Sequence, residues 1–185
     1  MIDAGISGKK VKENLSFLGR DIEDINAIVV SHDHIDHTRG IGVLSRRYKI
    51  PVYMTKKTYG RCSFGLGSLH ELKCFNPGQT ISFNGLKIET FKTPHDASDP
   101  VNFIIRNNEK NLGLITDLGT YKGIKDRISN LDSAIIESNH DPELLKICRY
   151  PYFLKQRIAS EIGHLSNPDA RDFILEHADH NRLKN

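Results

Sequence analysis

The sequence predicts a mixed α/β (α+β) fold, and three stretches carry that prediction. A short β-branched run, Ala27-Ile28-Val29-Val30, has the continuous apolar character of a buried strand. From Thr80 onward, short runs of strand-forming residues separated by turn residues predict antiparallel hairpins. Helical periodicity then returns at residues 122–129, 152–162 and 168–177, so strands and helices mix without strictly alternating.

Taken in order, the first element is a helix over residues 10–18, with Val11, Leu15 and Leu18 on one face and Gly19 as its stop. The strand at 27–30 leads into Ser31 and a histidine cluster, which places the cluster on a strand-end loop. A helix over 40–48 and a strand at 52–54 follow, while residues 60–67 give no clear pattern. Strands are expected at 80–83, 86–92, 101–106 and 112–116, with turns at Asn84 and Gly85 and at 107–111, and a further apolar strand at 134–136.

At 185 residues the chain suits a single domain, residues 1–185, with one active site. No apolar run is long enough for a membrane span or a signal peptide, so a cytoplasmic protein without membrane association is expected. Cys62, Cys74 and Cys148 are odd in number and widely spaced, with no CxxC pairing, so they read as buried or free thiols and suggest neither a disulfide framework nor a cysteine zinc knuckle. Basic residues recur at Arg46 and Arg47, at Lys56 and Lys57, and from Lys146 to Arg157; they suit a phosphate-bearing partner as well as an ordinary solvated face.

The densest chemistry lies in SHDHIDH, residues 31–37, where three histidines and two aspartates fall within six positions. Imidazole and carboxylate are the donors that suit borderline divalent metals. Burying so many ionisable groups without a metal would cost several kcal/mol, about the penalty of a few unpaired polar groups. From a loop at a strand end, His32 and His34 can face one metal while Asp36 and His37 reach a second, the spacing of a dinuclear centre.

SHDHIDH resembles the signature of the metallo-β-lactamase superfamily, whose fold is a four-layer αββα sandwich, and the likeness runs along nearly the whole sequence. The resemblance implies two divalent metal ions, zinc or manganese, a further ligand at His95 in Thr93-Pro94-His95-Asp96, and a bridging carboxylate at Asp117 in Leu114-Ile115-Thr116-Asp117. It also implies a last histidine on a C-terminal strand, for which His177 and His180, in or just after a helical pattern, are poor substitutes. That ligand is expected just beyond Asn185, and the abrupt opening Met1-Ile2-Asp3-Ala4-Gly5 fits a chain trimmed at both ends.

The segments Glu137-Ser138-Asn139-His140-Asp141, Arg149-Tyr150-Pro151 and Gly163-His164-Leu165-Ser166-Asn167 resemble the YycJ/WalJ family of exonucleases. By that resemblance the substrate is DNA, degraded from the 5′ end; similarity to the related tRNase Z group implies His164 beside the scissile phosphate with Glu137 supporting it, while in a two-metal site Asp36 can orient the water or take its proton. For His164 the competing reading is helix capping; for His140, a second phosphate contact competes with a local turn preference. His70 has no partner nearby in sequence and is left outside the site. Two other function classes stay open: a small-molecule thioester or lactam hydrolase with the same ligands, and a non-catalytic binding module with a degenerate site.

Overall fold

Strand β1 (Ile28–Val29) is the middle of the expected β-branched run, and it pairs in parallel with β2 (Val52–Thr55), which pairs in parallel with β3 (Leu72–Phe75). The computed structural model describes residues 1–83 and 85–183; Asn84 of the expected turn and the final residues Lys184 and Asn185 lie outside the described residues. These three strands belong to the first of two compact units, which comprises Met1–Pro77 and Ala97–Pro100.

Helices of the first unit fill the crossovers that parallel strands require. Helix α1 (Gly8–Phe17) is capped by the Ser7 hydroxyl and ends where Gly19 takes φ 68°, close to the expected stop. A one-turn helix α2 (Ile35–Thr38) and helix α3 (Ile41–Tyr48) follow β1. The patternless stretch is helix α4 (Lys56–Leu66), started by the Thr55 hydroxyl accepting from the Thr58 N–H. Ile28, Val30, Ile41, Leu44, Val52 and Met54 are buried together as this unit's core.

The second unit, Gly78–Asp96 and Val101–Asn185, carries a sheet in the order β4-β5-β6-β7-β8. Strands β4 (Thr80–Phe83), β5 (Leu86–Lys92), β6 (Val101–Arg106) and β7 (Asn111–Ile115) are antiparallel neighbours, as the hairpin pattern predicts. Strand β8 (Ser133–Ile136) joins β7 in parallel. Phe91, Ile104, Ile115, Leu118, Leu165 and Phe173 lie in its core.

Two helical expectations change here. Residues 122–129 form only a 3-10 turn at Lys125–Arg127: Ile124, Ile128 and Leu131 have helical spacing and are all buried, but Gly123 weakens a helix there. The helix expected over 152–162 stops at Ile158, because the Ser160 and Glu161 backbone lies against Gly119, where a Cβ would come within 2.3 Å of Ser160 O. Helix α5 (Pro142–Ile147) is an addition, announced by Asp141 as N-cap and Pro142 in its first turn. Tyr152–Ile158 then forms α6 and Asn167–His177 forms α7.

Candidate functional site

In the first unit the chain from β1 into α2 gathers the cluster. His32 is buried, with Nδ1 2.9 Å from the Ser31 hydroxyl and Nε2 3.0 Å from His34 Nδ1. The His37 ring centre lies 4.1 Å from that of His32. His34 is the N-cap residue of α2, and Asp36 and His37 ride on its single turn, so half the motif is helical rather than loop.

Asp3 holds this arrangement. Its carboxylate accepts from the Ser31 N–H at 2.8 Å and the Ser31 hydroxyl at 2.6 Å, and it pairs with His37 Nδ1 at 2.9 Å. A carboxylate on Nδ1 fixes the tautomer and orients the ring, a support that would suit a metal-ligating histidine. Asp3 takes φ 51°, a strained value for a residue with a Cβ. The next residues clasp α2: the Ala4 N–H donates to His37 O at 2.8 Å, and a Cβ on Gly5 would fall 1.4 Å from Asp36 O. Asp33, between the histidines, faces away from this network; its carboxylate accepts from the Ser98 N–H at 2.8 Å and tethers that loop. Asp36 is the outlier, with a side chain 77% exposed and 3.8 Å from His37 Nε2.

The second unit assembles a different cluster from strand ends. His95 follows β5; its ring is buried, with Nδ1 3.0 Å from Gly163 O and its centre 5.2 Å from the His164 ring. Asp117 follows β7 at φ 54°. Asn102, buried in β6, pins both approaches: its amide donates to Thr93 Oγ1 at 3.0 Å and Thr116 O at 2.9 Å, while its Oδ1 accepts from the Thr116 N–H.

Glu137, at the end of β8, is the hub. Its Oε2 accepts from the Leu118 N–H at 3.0 Å and the Leu165 N–H at 3.2 Å, and its Oε1 lies 2.6 Å from His164 Nδ1. That hydrogen bond is the main reason the His164 imidazole is held above its ordinary value, against the opposing effect of burial. His164 does not cap α7, a role taken by the Ser166 hydroxyl, which accepts from the Asp169 N–H. Asp117, Glu137 and His164 each present one donor atom within 4.8 Å of the others. Nearby, Arg157 makes a two-point ion pair with Asp96, and burial together with the neighbouring His164 holds His140 below its usual value.

Comparison with known proteins settles the family. A family model for the beta-lactamase superfamily domain matches residues 1–181. The chain is 37% identical over 173 residues to the exodeoxyribonuclease YycJ of Bacillus anthracis, covering 92% of this chain and 66% of that protein. It is also 37% identical over 183 residues to the exodeoxyribonuclease WalJ of Streptococcus pneumoniae D39, covering 95% of this chain and 67% of the relative. The chain belongs to the metallo-β-lactamase superfamily, in the YycJ/WalJ family. It spans about two thirds of the length of these relatives.

Among solved structures, the metallo-β-lactamase-fold protein YhfI from Bacillus subtilis superposes with a TM-score of 0.70 at 18% identity, covering 94% of this chain and 67% of that one. The two sheets with their helices are thus those of the metallo-β-lactamase fold, as expected. Membership makes the chain a metal-dependent hydrolase, and its histidine and aspartate clusters are the donor set a divalent ion requires. None of the described helices is long and apolar enough to cross a membrane. Sequence reasoning missed Asn102, whose signal was one amide among the apolar residues Val101 to Ile105, and the anchoring role of Asp3, although its Asp-Ala-Gly turn stood out.

Proposed function

We propose that the protein is a DNA exonuclease working from the 5′ end with two divalent metal ions, zinc or manganese. The ligands the family resemblance implies are His32, His34, Asp36, His37, His95 and Asp117. The single family model running across both units supports reading them as one domain. When bound, such ions supply an activated water and polarise a phosphoryl oxygen.

The observation that carries the nuclease reading is the Glu137–His164 pair. A lactam or thioester can be opened with the metal ligands alone, whereas a phosphodiester also benefits from a hydrogen-bond or proton donor at a phosphate oxygen. With Nδ1 engaged by Glu137, His164 offers Nε2 for that purpose, and the carboxylate favours the protonated ring. Exposed Asp36 orients the attacking water or takes its proton. His140 contributes a second phosphate contact, and the named activities of the YycJ and WalJ relatives point to DNA as substrate.

The deciding experiment incubates metal-loaded protein with 5′-phosphorylated DNA, 5′-hydroxyl DNA, a thioester and a β-lactam. Release of nucleotides from the 5′ end is expected, abolished in Asp36→Ala and lowered about a hundredfold or more in His164→Ala, the usual loss for a general acid. Thioester or lactam turnover without nuclease activity would replace the reading with a small-molecule hydrolase. Metal binding with no turnover of any substrate would make the protein a non-catalytic binding module.

A further inference from the structure

Beyond His140, which it shares with the hydrolytic site, the corner formed by α5 and α6 has properties that this site does not use. Between them lies a cleft of about 330 Å³ walled by His140, Leu145, Lys146, Tyr152, Lys155 and Gln156. That volume falls at the small end of ligand sites, which run roughly 300–1,000 Å³. Around it, large apolar side chains face solvent: Ile147 is 79%, Tyr152 74% and Phe153 71% exposed, and Leu144 and Tyr150 are also exposed. Five large exposed apolar side chains within ten consecutive residues are the composition of a binding surface.

Charge identifies the occupant. From Leu144 to Ser160 the sequence holds Lys146, Arg149, Lys155 and Arg157 and no acidic residue. Glu143 answers Lys146 at 2.6 Å, Asp96 answers Arg157 and the Asp141 carboxylate caps α5, so four cations meet three carboxylates and a positive excess remains with Arg149 and Lys155. The Lys155 ammonium donates to Lys146 O at 2.6 Å, which fixes one cation on the cleft wall. Aromatic rings interleaved with cations form the surface that single-stranded nucleic acid takes up, its bases stacked and its phosphates neutralised.

Two further observations favour a nucleobase in the cleft itself. Its wall includes the rings of both His140 and Tyr152, the kind of flat side chain on which a base stacks. The same wall is continuous with the Glu137–His164 pair: the Asn139 N–H donates to Leu165 O at 2.9 Å, and His140 bridges Ser166 in parallel register. We propose that the α5–α6 corner is a docking platform for single-stranded DNA, with one base stacked on Tyr152 in the cleft and the backbone held by Lys155 and Arg149. This rests on the nuclease reading and adds to it a subsite beside the scissile phosphate.

The test is the affinity of the whole protein for fluorescent oligothymidylate and for an abasic strand of equal length, by anisotropy in EDTA so that no cleavage occurs. The protein is expected to prefer the base-bearing strand by roughly tenfold or more, the yield of a stacked base. Tyr152→Ala should erase that preference, Tyr152→Phe should keep it, and Lys155→Glu should weaken both strands alike. Both positions are on the surface of α6, and thermal melting verifies that the variants fold. An unaltered base preference in Tyr152→Ala would overturn the proposal. So would a sedimentation shift from dimer to monomer in that variant with DNA affinity unchanged, which would make the patch a protein interface. If DNA is still degraded in either case, the nuclease reading survives alone; if the parent neither binds nor degrades DNA, both fall.

Discussion

Each unit of the molecule supports its cluster on one anchored carboxylate, and the two anchors are built differently. Asp3 takes a backbone N–H, a hydroxyl and the His37 imidazole, all from the short stretch around SHDHIDH. Glu137 takes two backbone N–H groups and the His164 imidazole from loops far apart in sequence, at Leu118 and Leu165. The first anchor therefore orients a local motif, whereas the second ties separate strand ends into one cluster. Losing the first should disturb one histidine; losing the second should loosen a whole rim.

The harshest way to break the comparison is to force the backbone under each cluster. Gly5→Ala would put a Cβ 1.4 Å from Asp36 O, and Gly119→Ala would put one 2.3 Å from Ser160 O. Gly5→Ala is expected to cost about 4 kcal/mol or more, in the range reserved for gross steric conflict, with Gly119→Ala somewhat less. Urea unfolding measures both, and a tolerated Gly5→Ala would mean that the opening segment does not clasp α2.

Next come the anchors themselves. Glu137→Ala strands two buried backbone donors and an imidazole and should cost roughly 3 kcal/mol, while Asp3→Ala should cost about 2 kcal/mol. The sharper distinction is in metal retention measured by elemental analysis. Asp3→Ala should weaken it about 10- to 100-fold through His37, the usual cost of losing a partner that orients a ligand. Equal stability losses from the two variants would erase the difference between a local and a long-range anchor.

That difference also explains what could be read from the sequence. SHDHIDH was legible because six consecutive residues carry the chemistry on a recognisable strand end. His95, Asp117, Glu137 and His164 each sit in an ordinary strand-end or turn context, and only likeness to a family joined them. Asn102 stayed hidden because its value lies in bridging Thr93 and Thr116, a contact that β-sheet register creates and linear spacing does not reveal. The hairpins from Thr80 were legible through their turns, while the 3-10 turn at Lys125–Arg127 mimicked a helix by burying Ile124, Ile128 and Leu131 at helical spacing.

A gentler probe titrates the second anchor. Glu137 holds the His164 pKa above its ordinary value of about 6.5, so protonation favours the folded state. This stabilisation is fully present below about pH 6.5 and fades as pH rises through the raised folded value. In metal-free protein, the stability difference between the parent and Glu137→Gln should therefore narrow steadily above neutral pH. A gap that stays constant from pH 6 to pH 9 would show that His164 is not charged through Glu137.

The smallest expected effect reports on the first cluster from the side. Burial, aided by the negative charge of Asp33, pushes the Cys62 thiol up to about 11. At pH 8 only about one molecule in a thousand then carries the reactive thiolate. Cys74 is exposed, so iodoacetamide should label it well before Cys62. Asp33→Asn removes the lesser of the two causes and should quicken Cys62 labelling severalfold at most, leaving Cys74 unchanged. Because Asp33 also tethers Ser98, a much larger acceleration would mean that the loop had opened, and the tether rather than the charge would be what Asp33 contributes beside the histidines.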